Sequence, residues 1–148
     1  MDVLGSPAPK GSGRAMLIGG KARHIPSGSN ANGAAIKSWE AAVRTHIVID
    51  KFDGAMPSVP LFVGKPLAVG IVFRMRRPGG HYNKRTGALK PDAPAMPATK
   101  PDVDKLARAT LDAMHGSIFD DDSRIVELGV VKRYAEPGFG IWMANFID

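Results

Sequence analysis

Between residues 77 and 101 the chain carries five prolines (Pro78, Pro91, Pro94, Pro97 and Pro101) and three glycines. Proline fixes φ and has no N–H, so neither a helix nor a central strand runs through such a stretch. The core must therefore be assembled from what flanks it. The stretch itself is a long loop, about 76–101, and loops of that length in compact domains are either functional or disordered. It is also basic, with His81 and Tyr82 among the cations, which suits phosphate contacts and base stacking. The plain alternative is a solvated linker.

Regular periods appear on either side. Ala15–Ile18 and Lys21–Ile25 flank Gly19-Gly20, a pattern that predicts a tight hairpin. Ile36, Trp39, Val43 and Ile47 fall on one stripe and predict a helix over 34–48. Residues 50–65 are broken by glycine and proline and read as a connector. Leu67, Val69, Ile71, Phe73 and Met75 alternate with smaller or polar residues, which is a strand with one buried face. Val103, Leu106, Ala107, Thr110, Leu111 and Met114 predict a helix over 102–115, with Asp102 as its N-cap and Gly116 beyond its end. Two more strands, about Arg124–Tyr134 and Phe139–Ile147, read as a C-terminal hairpin around Glu136-Pro137-Gly138. The expected fold is α+β: a small single domain spanning 1–148, two main helices against a mixed or antiparallel sheet.

At 148 residues the chain is long enough for one self-supporting core. It has no cysteine, which excludes disulfides, thiolate zinc sites, iron–sulfur clusters and cysteine nucleophiles. No apolar run approaches the ~18 residues of a membrane span, and Met1–Lys10 lacks a signal-like apolar stretch, so a soluble cytoplasmic protein is expected. The sequence also lacks a phosphate-binding Gly-rich Lys-Ser/Thr loop, a Gly-x-Ser-x-Gly elbow and a His-x-x-x-His pair. A nucleotide cofactor, an α/β-hydrolase and a zincin are therefore not expected.

The net charge of +6 is unevenly spread. Residues 74–100 are net +6, whereas 101–148 are net −4. A basic surface attracts phosphate, and clustered carboxylates repel it unless a metal intervenes. Both in one small domain point to a metal-dependent enzyme of nucleic acid. The candidate DNA contacts are Lys10 and Arg14 near the hairpin (with Lys21 and Arg23 close by), Arg74, Arg76, Arg77, Lys84, Arg85, Lys100 and Lys105. Asp102-x-Asp104 opens the second helix, and Asp120-Asp121-Asp122 follows it. One helix and a short return would bring these acids together around a magnesium ion, which favours hard oxygen ligands. The competing reading is that the first pair caps a helix and the triplet forms a solvated turn.

The segment Lys100-Pro-Asp-Val-Asp-Lys-Leu, continuing through Leu111-Asp-Ala-Met-His-Gly to Asp120-Asp-Asp-Ser-Arg-Ile-Val-Glu, resembles the signature of the RusA-type Holliday junction resolvases. Gly5-Ser-Pro-Ala-Pro-Lys resembles that family's opening segment, and the helix around Trp39 and the basic Arg74–Lys90 stretch follow its order. The resemblance implies a homodimeric crossover junction endodeoxyribonuclease. Such an enzyme binds four-way DNA and nicks two strands symmetrically with magnesium, or with manganese as the alternative ion. Matched position by position, the catalytic acids fall on Asp102, Asp104 and Asp122, with Asp121 as the other member of the paired metal-site acids. The family's helix lysine falls on Arg108, which keeps the charge but is a poor proton donor. Arg124 stands where glutamine is usual. Arg108 and Lys105 would stabilise developing charge. The apolar strand with Phe139, Ile141, Trp142, Met143 and Phe146 is a candidate for part of a subunit interface, the alternative being that both of its faces pack inside one protomer. Two other readings stay open: a non-catalytic basic DNA-binding module, and a metal nuclease acting on other branched DNA.

Overall fold

The computed structural model describes residues 2–11, 14–25 and 31–134. In chain order these form β1 (Arg14–Ile18), β2 (Lys21–Ile25), α1 (Ala31–Phe52), β3 (Leu67–Met75), α2 (Val103–Met114) and β4 (Ile125–Tyr134). Single 3-10 turns lie at Gly79–His81 and Asp122–Arg124.

β1 and β2 pair antiparallel across Gly19 and Gly20, both at positive φ (60° and 76°). Two consecutive left-handed residues are what a two-residue hairpin turn needs, and glycine reaches that conformation without strain. α1 is longer at both ends than the 34–48 stripe predicts. It runs to Phe52, where Asp53 and Gly54 turn left-handed. Its stripe Ile36, Trp39, Val43 and Ile47 is buried throughout.

β3 follows its alternation, with Leu67, Val69, Ile71 and Phe73 buried and the residues between them half-buried. Its partner is β4, and the pair is parallel, from Leu67 against Ile125 to Met75 against Tyr134. A parallel pair needs a crossover, which the 76–102 segment and α2 supply. The expected α+β fold, two main helices with both strand senses present, is what the structure shows. The described residues hold two separate two-stranded sheets, one antiparallel and one parallel, within an α+β domain. The reason is that the chain reverses at each end of α2, so β4 runs in the direction of β3. The expected last strand, Phe139–Ile147, and the interface assigned to it lie outside the described residues.

One cluster of buried side chains joins Val3 and Ala8, the α1 stripe, the inner face of β3, and Leu106, Ala109, Ala113 and Met114 of α2. Each large aliphatic or aromatic side chain buried there contributes roughly 1.5–3 kcal/mol. Trp39 packs tilted on Phe73, and its Nε1–H donates to Thr110 Oγ1 at 3.1 Å, linking α1 to α2 through the core. Val103, assigned to the apolar face by spacing, is exposed at the helix start.

The proline-rich segment is ordered by specific contacts. Asn83 Oδ1 accepts from the N–H groups of Arg85 and Thr86, closing a turn flanked by a Tyr82–Leu89 bridge. Arg77 lies 4.2 Å from the centre of the Tyr134 ring and donates to the Pro94 carbonyl at 2.7 Å. Lys132 Nζ donates to the carbonyls of Thr99 and Pro101, each at 2.8 Å. Among the described residues no helix is long and apolar enough to cross a membrane.

Candidate functional site

The start of α2 carries the first acidic pair. Asp102 is the N-cap residue with extended backbone (φ −68°, ψ 139°), yet its side chain makes no capping hydrogen bond. It instead accepts from Lys105 Nζ at 2.6 Å. The capping role that spacing assigns to Asp102 is therefore filled by the backbone alone, and the carboxylate is available at the surface. The hydrogen bond from Lys105 holds the Asp102 carboxyl below the usual aspartate range, and Asp102 in turn raises Lys105. Asp104, in the first turn, is exposed and has no hydrogen-bond or ion-pair partner among the described residues. Asp102 and Lys105 border a cleft of about 560 Å³ with Lys100, Pro7, Pro9 and Met75. Lys132 fixes the Thr99–Pro101 backbone that leads into it. Nothing in the sequence singles out Lys132, because its role depends on the β4 register.

The other end of α2 carries the second acidic group. His115 N–H closes on Leu111 O, Ile118 N–H on Met114 O, and Gly116 (φ 81°) N–H on Phe119 O. Phe119 is fully buried, so the reversal is tight and the aspartates emerge beside the last turn of the helix. They differ in what they do. Asp120 works against partial desolvation, but hydrogen bonds from Arg124 Nη2 (3.3 Å) and Gly64 N–H (3.4 Å) lower its pKa. Asp121 is lowered by its hydrogen bonds with Ser123, whose N–H it accepts at 2.8 Å, and it caps the short 3-10 turn. Asp122 alone of the three has no side-chain partner among the described residues. Asp121 and Asp122 line a second cleft, about 260 Å³, with Asp112 and His115. The i, i+3 spacing of Asp112 and His115 on one helical face is the sequence signal from which that pairing can be read.

The two groups do not meet within one chain. α2 has 12 residues, which is about 18 Å at 1.5 Å per residue. Asp102 and Asp104 stand at its start, and Asp121 and Asp122 stand past its end. Among the described residues no three Asp, Glu or His side chains are close enough to hold one metal ion. The turn at Gly116–Phe119 leaves Asp120, Asp121 and Asp122 where the helix stops, and β4 then leads away. Asp102, Asp104, Asp121 and Asp122 of a single chain do not fit one ion.

The basic residues divide in the same concrete way. Lys10 Nζ is paired internally with Asp112 (2.8 Å) and Glu40 (3.3 Å). Arg77 is engaged on Tyr134 and Pro94. Arg14 opens β1, and its side chain is not among those described. Arg76, Lys84, Arg85 and Lys100 are exposed and free of ion pairs among the described residues, Lys84 and Arg85 at the tip of the Asn83 turn. Arg74 is half-buried on β3, and Arg108 is exposed midway along α2.

A 40-residue stretch is 48% identical to an uncharacterized protein, YqaN, of Bacillus subtilis (strain 168). It covers 27% of this chain and 28% of that relative, so the shared part is a fraction of each. The family model of the endodeoxyribonuclease RusA matches residues 9–143, which takes in both ends of α2, the proline-rich loop and both sheets. On that match the chain belongs to the RusA family of endodeoxyribonucleases.

Proposed function

We propose that this protein is a structure-selective endodeoxyribonuclease that resolves four-way DNA junctions by paired symmetric nicks and depends on a divalent cation, magnesium or manganese. The observation that carries the reading is the start of α2. The Asp102 carboxylate is held ionised beside Lys105 instead of capping the helix, and it borders a cleft open to solvent. Asp104 stands free next to it, and Asp122 stands free at the far end of the helix.

In this reading Lys100 and Lys105 hold a phosphate of the scissile strand against the cleft. Arg108 adds a fixed cation for the charge that develops on the phosphodiester oxygens. Lys84 and Arg85 reach an arm of the junction from the loop tip, where their contacts fix orientation without reading sequence. Because the acids of one chain do not fit a single ion, no step is assigned to the metal within one protomer.

The test is a panel of four-way, flapped and linear DNAs of matched sequence, with and without magnesium. The expected result is cation-dependent nicking of the four-way junction at two symmetric positions. Binding without cation-dependent cleavage would return the protein to a non-catalytic DNA-binding module. Preferential cleavage of flaps would make it a nuclease of other branched DNA.

A further inference from the structure

We propose that the cleft at the start of α2 is a nucleobase subsite. It takes one base at the branch point, unstacked and turned out of its arm, while the phosphate of that nucleotide lies on Lys100 and Lys105. The inference deepens the nuclease reading and rests on it.

Three observations carry it. The first is what the cleft is made of. Its volume is about 560 Å³, within the roughly 300–1,000 Å³ of small-molecule sites. Pro7, Pro9, Ala35 and Met75 give it apolar walls, and Lys100 and Lys105 bring cations beside Asp102. A backbone phosphate needs only the cations. A nucleotide matches both halves, with an anionic phosphate and a flat base. Every base offers such a face, so apolar walls accept any of the four.

The second is that the cleft is built before anything binds. The N-terminal segment is anchored by Val3 and Ala8, which are 2% and 4% exposed in the core. Lys10 N–H donates to Lys105 O at 2.9 Å and ties that segment to α2. Lys132 Nζ holds the carbonyls of Thr99 and Pro101 on either side of Lys100. A cleft fixed in this way loses little freedom when it is filled.

The third is where it lies. Its lining includes Asp102, so a base seated there belongs to a nucleotide beside the phosphate that Asp102 serves. Turning a base out of a duplex costs its pairing and stacking, and the cost is least where these are already broken. A four-way junction interrupts the stack at its branch point, and a linear duplex does not. A base-accepting cleft therefore favours the branch without reading sequence.

Four-way junctions with a single 2-aminopurine, beside the branch point or within an arm, test the inference in EDTA, where no strand is cut. This base is quenched in a stack and bright outside one. No aromatic side chain lines the cleft to quench it again. Binding should raise the emission several-fold at one branch-point position and leave the arm positions unchanged. Ala35 is exposed on α1 and lines the cleft, so Ala35→Leu fills it with a good helix former. This variant should lose the rise and bind the junction about tenfold more weakly, or ~1.4 kcal/mol. Ala34→Leu, on the same helix but outside the cleft, should match wild type. No rise at any branch-point position overturns the inference. So does a rise that persists in Ala35→Leu, since opening of the junction then unstacks the base without the cleft.

A second measurement uses the wild-type fold. An abasic residue at the responding position should weaken wild-type binding by about the same factor and cost Ala35→Leu nothing further. Equal losses in both proteins count against the subsite. Magnesium-dependent nicking without the emission change sinks the subsite and leaves the nuclease reading standing. The emission change without such nicking does the reverse, and a protein that binds no junction overturns both.

Discussion

Asp104 and Asp122 are the two acidic side chains near α2 that nothing else among the described residues occupies, whereas Asp120 and Asp121 are engaged by Arg124 and Ser123. That difference predicts unequal substitutions. Asp104→Asn and Asp122→Asn should each cut junction nicking by at least ~10²-fold, a loss of the size seen when one charge-stabilising group is removed. Junction binding should hold or tighten, because a charge that repels phosphate is gone; gel-shift and single-turnover cleavage on the same DNA read the two separately. Asp120→Asn should act mainly on the fold, through its bonds to Arg124 and Gly64. Lys10 offers a case with a definite pH sign. The hydrogen bond to Asp112 raises its pKa above 10.5, desolvation opposes this, and Glu40 adds to the rise. A raised folded pKa means the contribution is complete below the unfolded value and is lost as pH climbs through the folded one. Lys10→Met should therefore cost about 1 kcal/mol at neutral pH, the scale of a part-exposed ion pair. In melts the gap to wild type should close above pH 10.5.

At the scale of elements, the α1–α2 contact turns on one buried hydrogen bond. Thr110 is fully buried, donates to Leu106 O and accepts from Trp39 Nε1–H. Thr110→Val keeps the shape and strands the indole N–H, at a cost of about 1–3 kcal/mol. Thr110→Ser should recover most of it, and denaturant midpoints of the two variants distinguish the polar contact from packing. Individual elements are legible in the sequence for a physical reason. β3 and α2 each bury one face, so their periods of two and about 3.6 survive in the residues. The pairing of β3 with β4 leaves no such trace, because it follows from the reversal at Gly116–Phe119 and not from either strand. The same reversal sets where the aspartates after α2 emerge, and no period in the sequence records it. Lys132 and Tyr134 are unreadable too, since each matters through the loop that β4's register brings against it.

For the whole molecule the relevant quantity is the field it presents to DNA, and the formal charge of +6 does not say which of its cations are free to meet a phosphate. Lys10 is neutralised by Glu40 and Asp112, Lys105 by Asp102, and Arg124 by Asp120. Arg77 keeps its charge but is committed to Tyr134 and Pro94, which pin the proline-rich segment to β4. Lys84 and Arg85 remain, exposed at a turn that Asn83 closes, where they can approach a duplex without breaking any ion pair. A cation that binds a phosphate releases condensed counterions, so removing one such cation should flatten the slope of log K against log salt by about 0.9 on duplex arms. Lys84→Ala with Arg85→Ala should thus reduce the slope by up to about 1.8. Lys10→Ala should leave it nearly unchanged, because that ammonium is already paired. Arg77→Ala should behave differently again: the slope changes little, but the loop is released from β4, so affinity falls at every salt concentration. Fluorescence anisotropy on a labelled four-way junction across a salt series separates the three patterns. If Lys84 and Arg85 could be removed with no change in slope, the loop tip would not touch the backbone, and the DNA path would have to follow Arg74, Arg76 and Lys100 instead.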